Sequence, residues 1–288
     1  MTEPRTASPA ARGFTLVELM VTLSIVAMVM VTVYFTFFRS QANAQRMNAL
    51  IESRQNARSA CQLMERELRM AGSGWGKVNV NVYYSGQTAQ LNPVDAGYAG
   101  TNTSDTLSIV GAFAGAGSKL RANMTTNTED IPVQSIDGLN DSDLVVVTDG
   151  ANAHMFQVTG RVASPAALQH STSSPWNPSG LYANWPVGGY SINSDVYKAT
   201  WAQYRFDSTG FTRPSLVRIE NNGPPQVVAQ TVRGFEVWYL MQDGTLTRNP
   251  ANWAMVDKVR PVVHISFENA NRQTIQDSVW AIAKPRTY

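Results

Sequence analysis

The residues most informative about the architecture lie near the start of the chain and read Gly13-Phe14-Thr15-Leu16-Val17-Glu18-Leu19-Met20. The residues that follow it, 19–38, are twenty positions without a charge, a proline or a glycine. A helix of about 20 apolar residues is long enough to cross the ~30 Å hydrocarbon core of a membrane. The single carboxylate, Glu18, stands at the start of this run, where an acid is costly unless it has a partner. The stretch predicts a membrane-spanning helix with a functional acid; the alternative is a plain signal anchor with an incidental acid near the interface.

The flanking residues distinguish this run from a secretory signal peptide. A signal peptide has a short apolar region followed by a small-residue cleavage site, whereas here a polar leader, residues 1–13, comes before the run. The stretch resembles the class III signal of type IV pilins and type II secretion pseudopilins. That resemblance implies cleavage between Gly13 and Phe14 by a prepilin peptidase, and N-methylation of Phe14. It also implies a role in assembly for Glu18, as the fifth residue of the mature chain.

The chemistry of such a mature N-terminus favours a pairing role for Glu18. A Phe14 ammonium inside a bundle of apolar helices needs a nearby carboxylate, because an unpaired charge is expensive at low dielectric. Residues 14 and 18 are one helical turn apart, so the pair can form within one helix. In a filament it can instead form between neighbouring subunits and fix their register, which is the arrangement that the resemblance favours.

The helix is predicted to continue well past the apolar run. No glycine or proline occurs between Phe14 and Ala71, and Gly72 supplies the stop. Apolar residues recur at the three- and four-residue spacing of one helical face. They are Met47, Leu50, Ile51, Ala57, Cys61, Met64, Leu68 and Ala71. The pattern predicts a rod of about 58 residues and about 87 Å. Its residues 14–38 would form the transmembrane or filament-core half, and residues 39–71 the amphipathic half behind a globular head.

The residues at the end of this helix resemble one group within the pilin and pseudopilin family more than others. Residues 52–72, which close on Arg-Met-Ala-Gly, resemble the helix end in the PilW group of minor pilins. Residues 103–110 resemble that group's strand after its first loop. A J-type pseudopilin has a similar layout, and it stays open as an alternative.

Beyond Gly72 the hydrophobic period changes to that of strands. Strands are predicted at residues 77–84, 105–110, 143–148, 154–162, 232–240, 259–267 and 278–283. A hairpin is predicted to turn at residues 208–210 and to return through residues 216–220. One long helix followed by many strands predicts an α+β, pilin-like fold, in which the helix packs on an antiparallel sheet. The β-rich head would span residues 72–288 and lie in the periplasm.

Within the head, residues 163–195 are predicted to be a loop insertion, because they hold few aliphatic side chains and several prolines. Such a long loop is uncommon in a compact domain unless it is functional or mobile. It carries the aromatic residues Trp176, Tyr182, Trp185 and Tyr190. Two alternatives stay open for them: they pack back onto the sheet, or they form a contact surface for another subunit.

Composition and charge exclude several classes of function. The content of 43% hydrophobic and 15% charged residues suits a folded, loop-rich β domain. The single cysteine, Cys61, excludes an intramolecular disulfide, and its place on the apolar helical face predicts a buried thiol, with an intersubunit bridge as the alternative. The basic excess lies in residues 39–70 without interleaved aromatics, so we expect a solvated or partner-facing helix surface near lipid headgroups and no nucleic-acid binding.

The chain offers no catalytic constellation, and we expect neither an enzyme nor a cofactor. His154, His170 and His264 stand apart from one another without metal-ligand spacing. The sequence has no nucleophile elbow, P-loop or glycine-rich nucleotide turn. An oxygen cluster at residues 137–143 lacks the full spacing of a calcium loop, and we expect an ordinary turn there with calcium binding as the alternative.

Three hypotheses follow. The first is a minor pilin of a type IV pilus that helps to start assembly. It would be a single-pass protein of the bacterial inner membrane before assembly, with its head in the periplasm, and would lie in the filament or at its tip afterwards. Its partners would be other minor and major pilins, the inner-membrane assembly platform, the prepilin peptidase and, in one version, a large tip adhesin. The second is a minor pseudopilin of type II secretion. The third is a membrane-tethered periplasmic adhesin, binding protein or enzyme, which Glu18 disfavours because a tether has no use for the acid.

Overall fold

The computed structural model describes residues 15–97, 104–182, 184–268 and 274–285. Gly13 and Phe14, and with them the predicted cleavage site, lie outside the described residues. The single long helix of the described residues, α1, spans Leu16–Arg69. Thr15 caps its start, because the Thr15 hydroxyl oxygen accepts a hydrogen bond from the Glu18 N–H at 3.3 Å.

The rest of the described chain is built mainly from strands. A single 3₁₀ turn, Trp253–Met255, precedes β16. The strands are β1 (Val80–Tyr84), β2 (Gln87–Leu91), β3 (Val94–Gly97), β4 (Thr106–Gly111), β5 (Gly117–Lys119), β6 (Ile131–Pro132), β7 (Leu144–Thr148), β8 (Ala153–Gln157), β9 (Gly160–Ala163), β10 (Ala166–Gln169), β11 (Asp195–Asp207), β12 (Ser215–Glu220), β13 (Gln226–Gln230), β14 (Val232–Met241), β15 (Leu246–Thr247), β16 (Val256–Glu268) and β17 (Thr274–Trp280).

The described strands form three sheets. The largest has the order β13-β12-β11-β7-β8-β1-β2, with β3, β4 and β5 joined to it through β4 and β11. A three-stranded sheet has the order β6-β10-β9, and a four-stranded sheet the order β15-β14-β16-β17. The strand pairs whose register the structure describes are antiparallel except for β1 and β8, which pair in parallel. The predicted α+β class with an antiparallel-rich head is confirmed.

The chain divides into two compact units, and the boundary falls within α1. The first unit contains the chain up to Leu50 together with residues 268–273, and the second contains residues 51–267 and 274–288. In the second unit one face of α1 is buried in the main core by Ala57, Cys61, Met64 and Leu68. These side chains pack with residues of the large sheet, such as Ile109 and Leu216, and with residues of the four-stranded sheet, such as Val237 and Val263. The apolar face predicted from the spacing is therefore a core face from Ala57 to Ala71, whereas Met47 and Ile51, which were predicted on the same face, are 57% and 56% exposed.

A second layer of core surrounds β7, all five residues of which are buried. Val145 and Val147 belong to one hydrophobic cluster, and Leu144 and Val146 belong to another on the opposite face. The aromatic residues of the 163–195 segment fill these clusters: Trp176, Tyr182 and Tyr190 are buried, and Trp185 is partly buried. Of the two alternatives for these aromatic residues, the structure shows the first: they pack onto the sheet.

Several boundaries differ from the predicted ones. The helix ends at Arg69 rather than Ala71, because the N–H groups of Met70 and Ala71 bond to carbonyls three residues back and tighten the last turn. Gly72 follows with a positive φ of 68°, which glycine adopts without steric cost. The strand predicted at 154–162 is two strands, β8 and β9, and the strand predicted at 77–84 begins only at Val80.

The 163–195 segment is not structureless as predicted. It contains β10 and the end of β9, which pair with each other as a hairpin. Strands β2, β3, β5, β6 and β13 were not predicted, and β11 begins at Asp195, well before the predicted hairpin. The hairpin itself is confirmed, since Asp207 on β11 pairs with Ser215 on β12.

Candidate assembly site

Glu18 lies in the first turn of α1 and is exposed. The residues after it form an apolar helical surface, on which Leu19, Val26 and Phe37 are between 47% and 59% exposed. By length and composition α1 can cross a membrane, and none of its most apolar 18-residue window is buried. The protein thus presents an apolar helix with one carboxylate at its start, which is the arrangement expected from the sequence.

Every serine and threonine in the apolar run is satisfied within the helix. The hydroxyls of Thr22, Ser24, Thr32 and Thr36 donate hydrogen bonds to the carbonyl oxygens four residues earlier, at distances of 2.7–2.9 Å. Such bonds remove the cost of carrying a hydroxyl in an apolar environment. Among the described residues, no cation lies within ion-pair distance of the Glu18 carboxylate. Glu18 therefore differs from the serine and threonine side chains of this segment.

A second acid on the same helix, Glu67, has the opposite environment. Glu67 is buried at 5% exposure, and its carboxylate accepts hydrogen bonds from the Tyr204 hydroxyl at 2.6 Å and from Arg218 Nε at 3.0 Å. Tyr204 and Arg218 are directly opposite each other on β11 and β12. Burial, followed by the Glu67 charge, raises the pKa of Tyr204 and keeps its hydroxyl a donor. This cluster fixes the end of α1 to the large sheet.

Glu67 was not identified as a site from the sequence, although a signal was present. It stands three residues after Met64 and four before Ala71, both fully buried, so helical periodicity places it on the core face. A carboxylate on a core face requires a partner. The identity of that partner has no local signature, because Arg218 is 151 residues away.

The oxygen cluster at 137–143 is an ordinary set of turns. The Asp141 carboxylate pairs with Arg161 at 2.9 Å, and the Asp143 carboxylate pairs with Lys198 at 2.8 Å. The Asp137 carboxylate accepts a hydrogen bond from the Ser135 hydroxyl at 2.7 Å. The three acids thus have separate partners, and the described residues contain no group of three His, Cys, Asp or Glu side chains that could hold a metal ion.

The three histidines lie in different environments. His154 is buried, and its Nδ1 lies 2.6 Å from the Tyr190 hydroxyl. Burial lowers the pKa of His154 to about 4, so the imidazole is neutral at neutral pH. His170 Nε2 lies 2.7 Å from the Glu129 carbonyl oxygen, and His264 Nε2 lies 3.3 Å from the Glu236 carboxylate.

Comparison with known families gives a match at the start of the chain. Residues 9–34 match the model of the prokaryotic N-terminal methylation motif, and the match includes Gly13, Phe14 and Glu18. The motif indicates a type IV pilin-like or pseudopilin protein. It implies processing by a prepilin peptidase and assembly with pilin or pseudopilin machinery, and it fits membrane anchoring through the apolar helix. No curated protein and no solved structure matches the chain significantly.

Proposed function

We propose that the chain is a minor pilin of a type IV pilus, which joins the filament through its N-terminal helix and helps to initiate assembly at or near the tip. Residues 1–13 are the leader that the peptidase removes. Residues 14–38 cross the inner membrane before assembly and lie in the filament core after it. Residues 39–71 are the amphipathic half of the helix, and residues 72–288 are a periplasmic head. The role is structural rather than catalytic, with other minor and major pilins and the assembly platform as partners.

The observation that carries this proposal is the contrast between Glu18 and the serine and threonine residues after it. The hydroxyls have partners inside the helix, whereas the described residues provide no cation for the Glu18 carboxylate. A carboxylate in an apolar environment is costly and is kept where it has a partner. The N-terminal ammonium that cleavage before Phe14 creates on a neighbouring subunit is such a partner. A membrane tether has no need of this pair.

The resemblance of residues 52–72 to the PilW group favours the pilus over the secretion pseudopilus. Both machines use the same signal, so the signal itself does not distinguish them. Their outputs differ, because one displays surface filaments and the other exports folded proteins. An experiment that measures both outputs separates the two hypotheses.

Glu18→Ala tests the proposal in a deletion strain that expresses the full chain. We expect normal membrane levels, because the change makes the span more apolar. We also expect surface pili to be lost, because the partner's ammonium is then buried without an opposite charge. Thr22→Val is the matched control: it also makes one position near the start of α1 apolar, but the Thr22 hydroxyl bonds only to the Glu18 carbonyl of its own helix. This variant should restore pili to wild-type numbers.

Sheared filaments are then counted and probed for the variant chain, and secretion of a type II substrate is assayed in parallel. Normal pili that contain Glu18→Ala would contradict the role of Glu18. Lost secretion with intact pili in the deletion strain would instead make the chain a pseudopilin.

A further inference from the structure

The head has a cleft with several side-chain amides in its lining, at the edge of the large sheet formed by β1 and β2. Two cavities, of about 530 and 120 Å³, share Asn81, Gln90 and Asn184 in their linings. We call this place the amide cleft, and we define it by five carboxamides: Asn79, Asn81, Gln90, Asn152 and Asn184. The larger volume lies within the range of about 300–1,000 Å³ that is usual for small-ligand sites.

Three of the carboxamides, Asn81, Gln90 and Asn184, are held in place by one another. The Asn81 side-chain oxygen accepts hydrogen bonds from Gln90 at 3.0 Å and from Asn184 at 3.2 Å. The Asn81 side-chain nitrogen donates to the carbonyl oxygen of Ala153 at 3.1 Å. Asn81 is buried, whereas Gln90 and Asn184 are exposed. The buried amide thus orients two exposed ones, which is the support that a preorganised binding site needs.

The oriented amides keep unused hydrogen-bonding capacity. A carboxamide has two N–H donors and an oxygen with two lone pairs. Gln90 and Asn184 each use one donor on Asn81. Among the described residues, the Asn79 carboxamide has no hydrogen-bond partner, and it is exposed. Gln90, Asn184 and Asn79 therefore keep amide groups that a ligand can bind.

The cleft is nearly neutral. Lys77 is its one charged lining residue within the part of the chain that the structure describes, and no carboxylate lines either cavity there. The nearest turn, at residues 149–152, uses its own acid: the Asp149 carboxylate accepts hydrogen bonds from the N–H groups of Ala151 and Asn152 at 2.9 and 2.6 Å. A strongly charged ligand would find little to offset its desolvation here.

The lining also argues against an apolar ligand or an extended peptide. Its bulkiest apolar side chains are Trp75, Val82 and Tyr182, each at most 4% exposed, and Val78 is partly buried against the core. A peptide that adds to a sheet edge is recognised through pockets for its alternate side chains, and buried residues offer no such pockets. Hydroxyl groups both donate and accept, as carboxamides do. We propose that the amide cleft binds a neutral, polyhydroxylated ligand, namely a segment of an uncharged glycan chain.

The full chain in detergent micelles tests this proposal on an array of neutral oligosaccharides, uronic-acid oligosaccharides and unstructured decapeptides. Hits are then titrated by calorimetry. We expect binding to neutral oligosaccharides only. Gln90→Ala and Asn184→Ala should each weaken it about tenfold, since each removes one or two neutral hydrogen bonds. Gln87→Ala is the matched control, because Gln87 is an exposed glutamine on the same strand, β2, and lines neither cavity. It should leave affinity unchanged, and all three variants should melt within a few degrees of the wild type.

The proposal is overturned if no neutral oligosaccharide binds with a Kd below about 1 mM, which is the affinity of weak binding at a single site. It is also overturned if Gln87→Ala weakens binding as much as Gln90→Ala does. Binding of decapeptides with the same residue dependence would replace the glycan by a peptide. A preference for uronic-acid chains that is lost in Lys77→Ala would contradict the neutral character of the ligand.

Discussion

Arg218 on β12 and Glu67 near the end of α1 form a buried ion pair, with Arg218 Nη2 2.8 Å from Glu67 Oε1. Their side chains are 11% and 6% exposed. The same guanidinium reaches the more exposed Glu220 through Nη1 at 2.5 Å. The two partners are 151 residues apart in sequence. Since one is on α1 and the other on β12, the pair joins the helix to the large sheet within the second compact unit. Removing one partner of a buried ion pair strongly lowers stability, because the other charge is left buried without an opposite charge.

Replacing Glu67 by glutamine should therefore destabilise the head strongly. We expect the free energy of unfolding to fall by about 3 kcal/mol, because Arg218 is left buried with only Glu220 as a charged partner. Arg218→Met alone should cost a similar amount, and the double variant should cost less than the sum. Urea unfolding of the full chain in detergent, followed by tryptophan fluorescence, measures all four corners of the cycle. Strict additivity would mean that the two residues do not stabilise each other.

The packing of α1 in the core gives a second prediction. Leu68 is fully buried in the main cluster, so Leu68→Ala should lower the free energy of unfolding by about 2–5 kcal/mol through lost burial and a residual cavity. Ile51 on the same helix is 56% exposed, and Ile51→Ala should change it by less than about 0.5 kcal/mol. Equal effects in the two variants would show that another face of the helix carries the packing.

Cys61 gives a prediction about reactivity. Burial, and secondarily the Glu65 carboxylate, raises the pKa of the Cys61 thiol to about 12, and its Sγ lies 3.5 Å from the Val279 carbonyl oxygen. Thiol reagents act on the thiolate, so Cys61 should react at pH 8 only as fast as the head unfolds. Adding urea should accelerate labelling to the rate of a free thiol.

A positive control for this measurement is Ser59→Cys, since Ser59 is exposed two residues earlier on α1. It should label within the mixing time of a manual assay. Rapid labelling of Cys61 in the native wild type would contradict its burial and would reopen the intersubunit bridge.

The pH dependence of stability should reflect His154. Burial lowers its pKa from 6.5 to about 4, while Asp149 opposes that shift. Between these two pH values the unfolded chain binds a proton that the folded chain does not. The free energy of unfolding should therefore fall as the pH drops through this window, by up to about 3 kcal/mol. His170, whose pKa burial also lowers, adds a change of the same sign.

Urea unfolding of the full chain at pH 7 and pH 4.5 checks this expectation. In His154→Phe the difference between the two pH values should shrink, because the titrating group is gone. The variant loses the contact with Tyr190 at both pH values, so that loss cancels in the comparison. An unchanged difference would mean that His154 does not titrate in this window.

Some of these elements could be predicted from the sequence and others could not. The helix was predictable because its signal is local: a long run free of glycine and proline, with Met64 and Leu68 at helical spacing. The hairpin of β11 and β12 was predictable because its turn residues lie between two alternating segments. Strand β2, with the sequence Gln-Thr-Ala-Gln-Leu, has no apolar alternation and is a strand because β1 pairs with it.

The sites follow the same rule. Gly13, Phe14 and Glu18 lie in one short stretch of sequence, so the sequence alone was sufficient to predict them as a site, and their roles stay predictions. The partners of Glu67, and the five amides of the amide cleft, come from distant segments that only the folded chain brings together. No spacing in the sequence connects Asn81 with Asn184, although their side chains lie 3.2 Å apart.

If the chain is processed and assembled as a pilin, its mature N-terminus shows it. Mass spectrometry of the chain isolated from membranes, with sequencing of its N-terminal peptide, should find a chain that begins at N-methylated Phe14. In Gly13→Val the leader should remain, because the residue before the cleaved bond is changed. A wild-type chain that retains residues 1–13, or one that is cut after residue 38, would contradict the account.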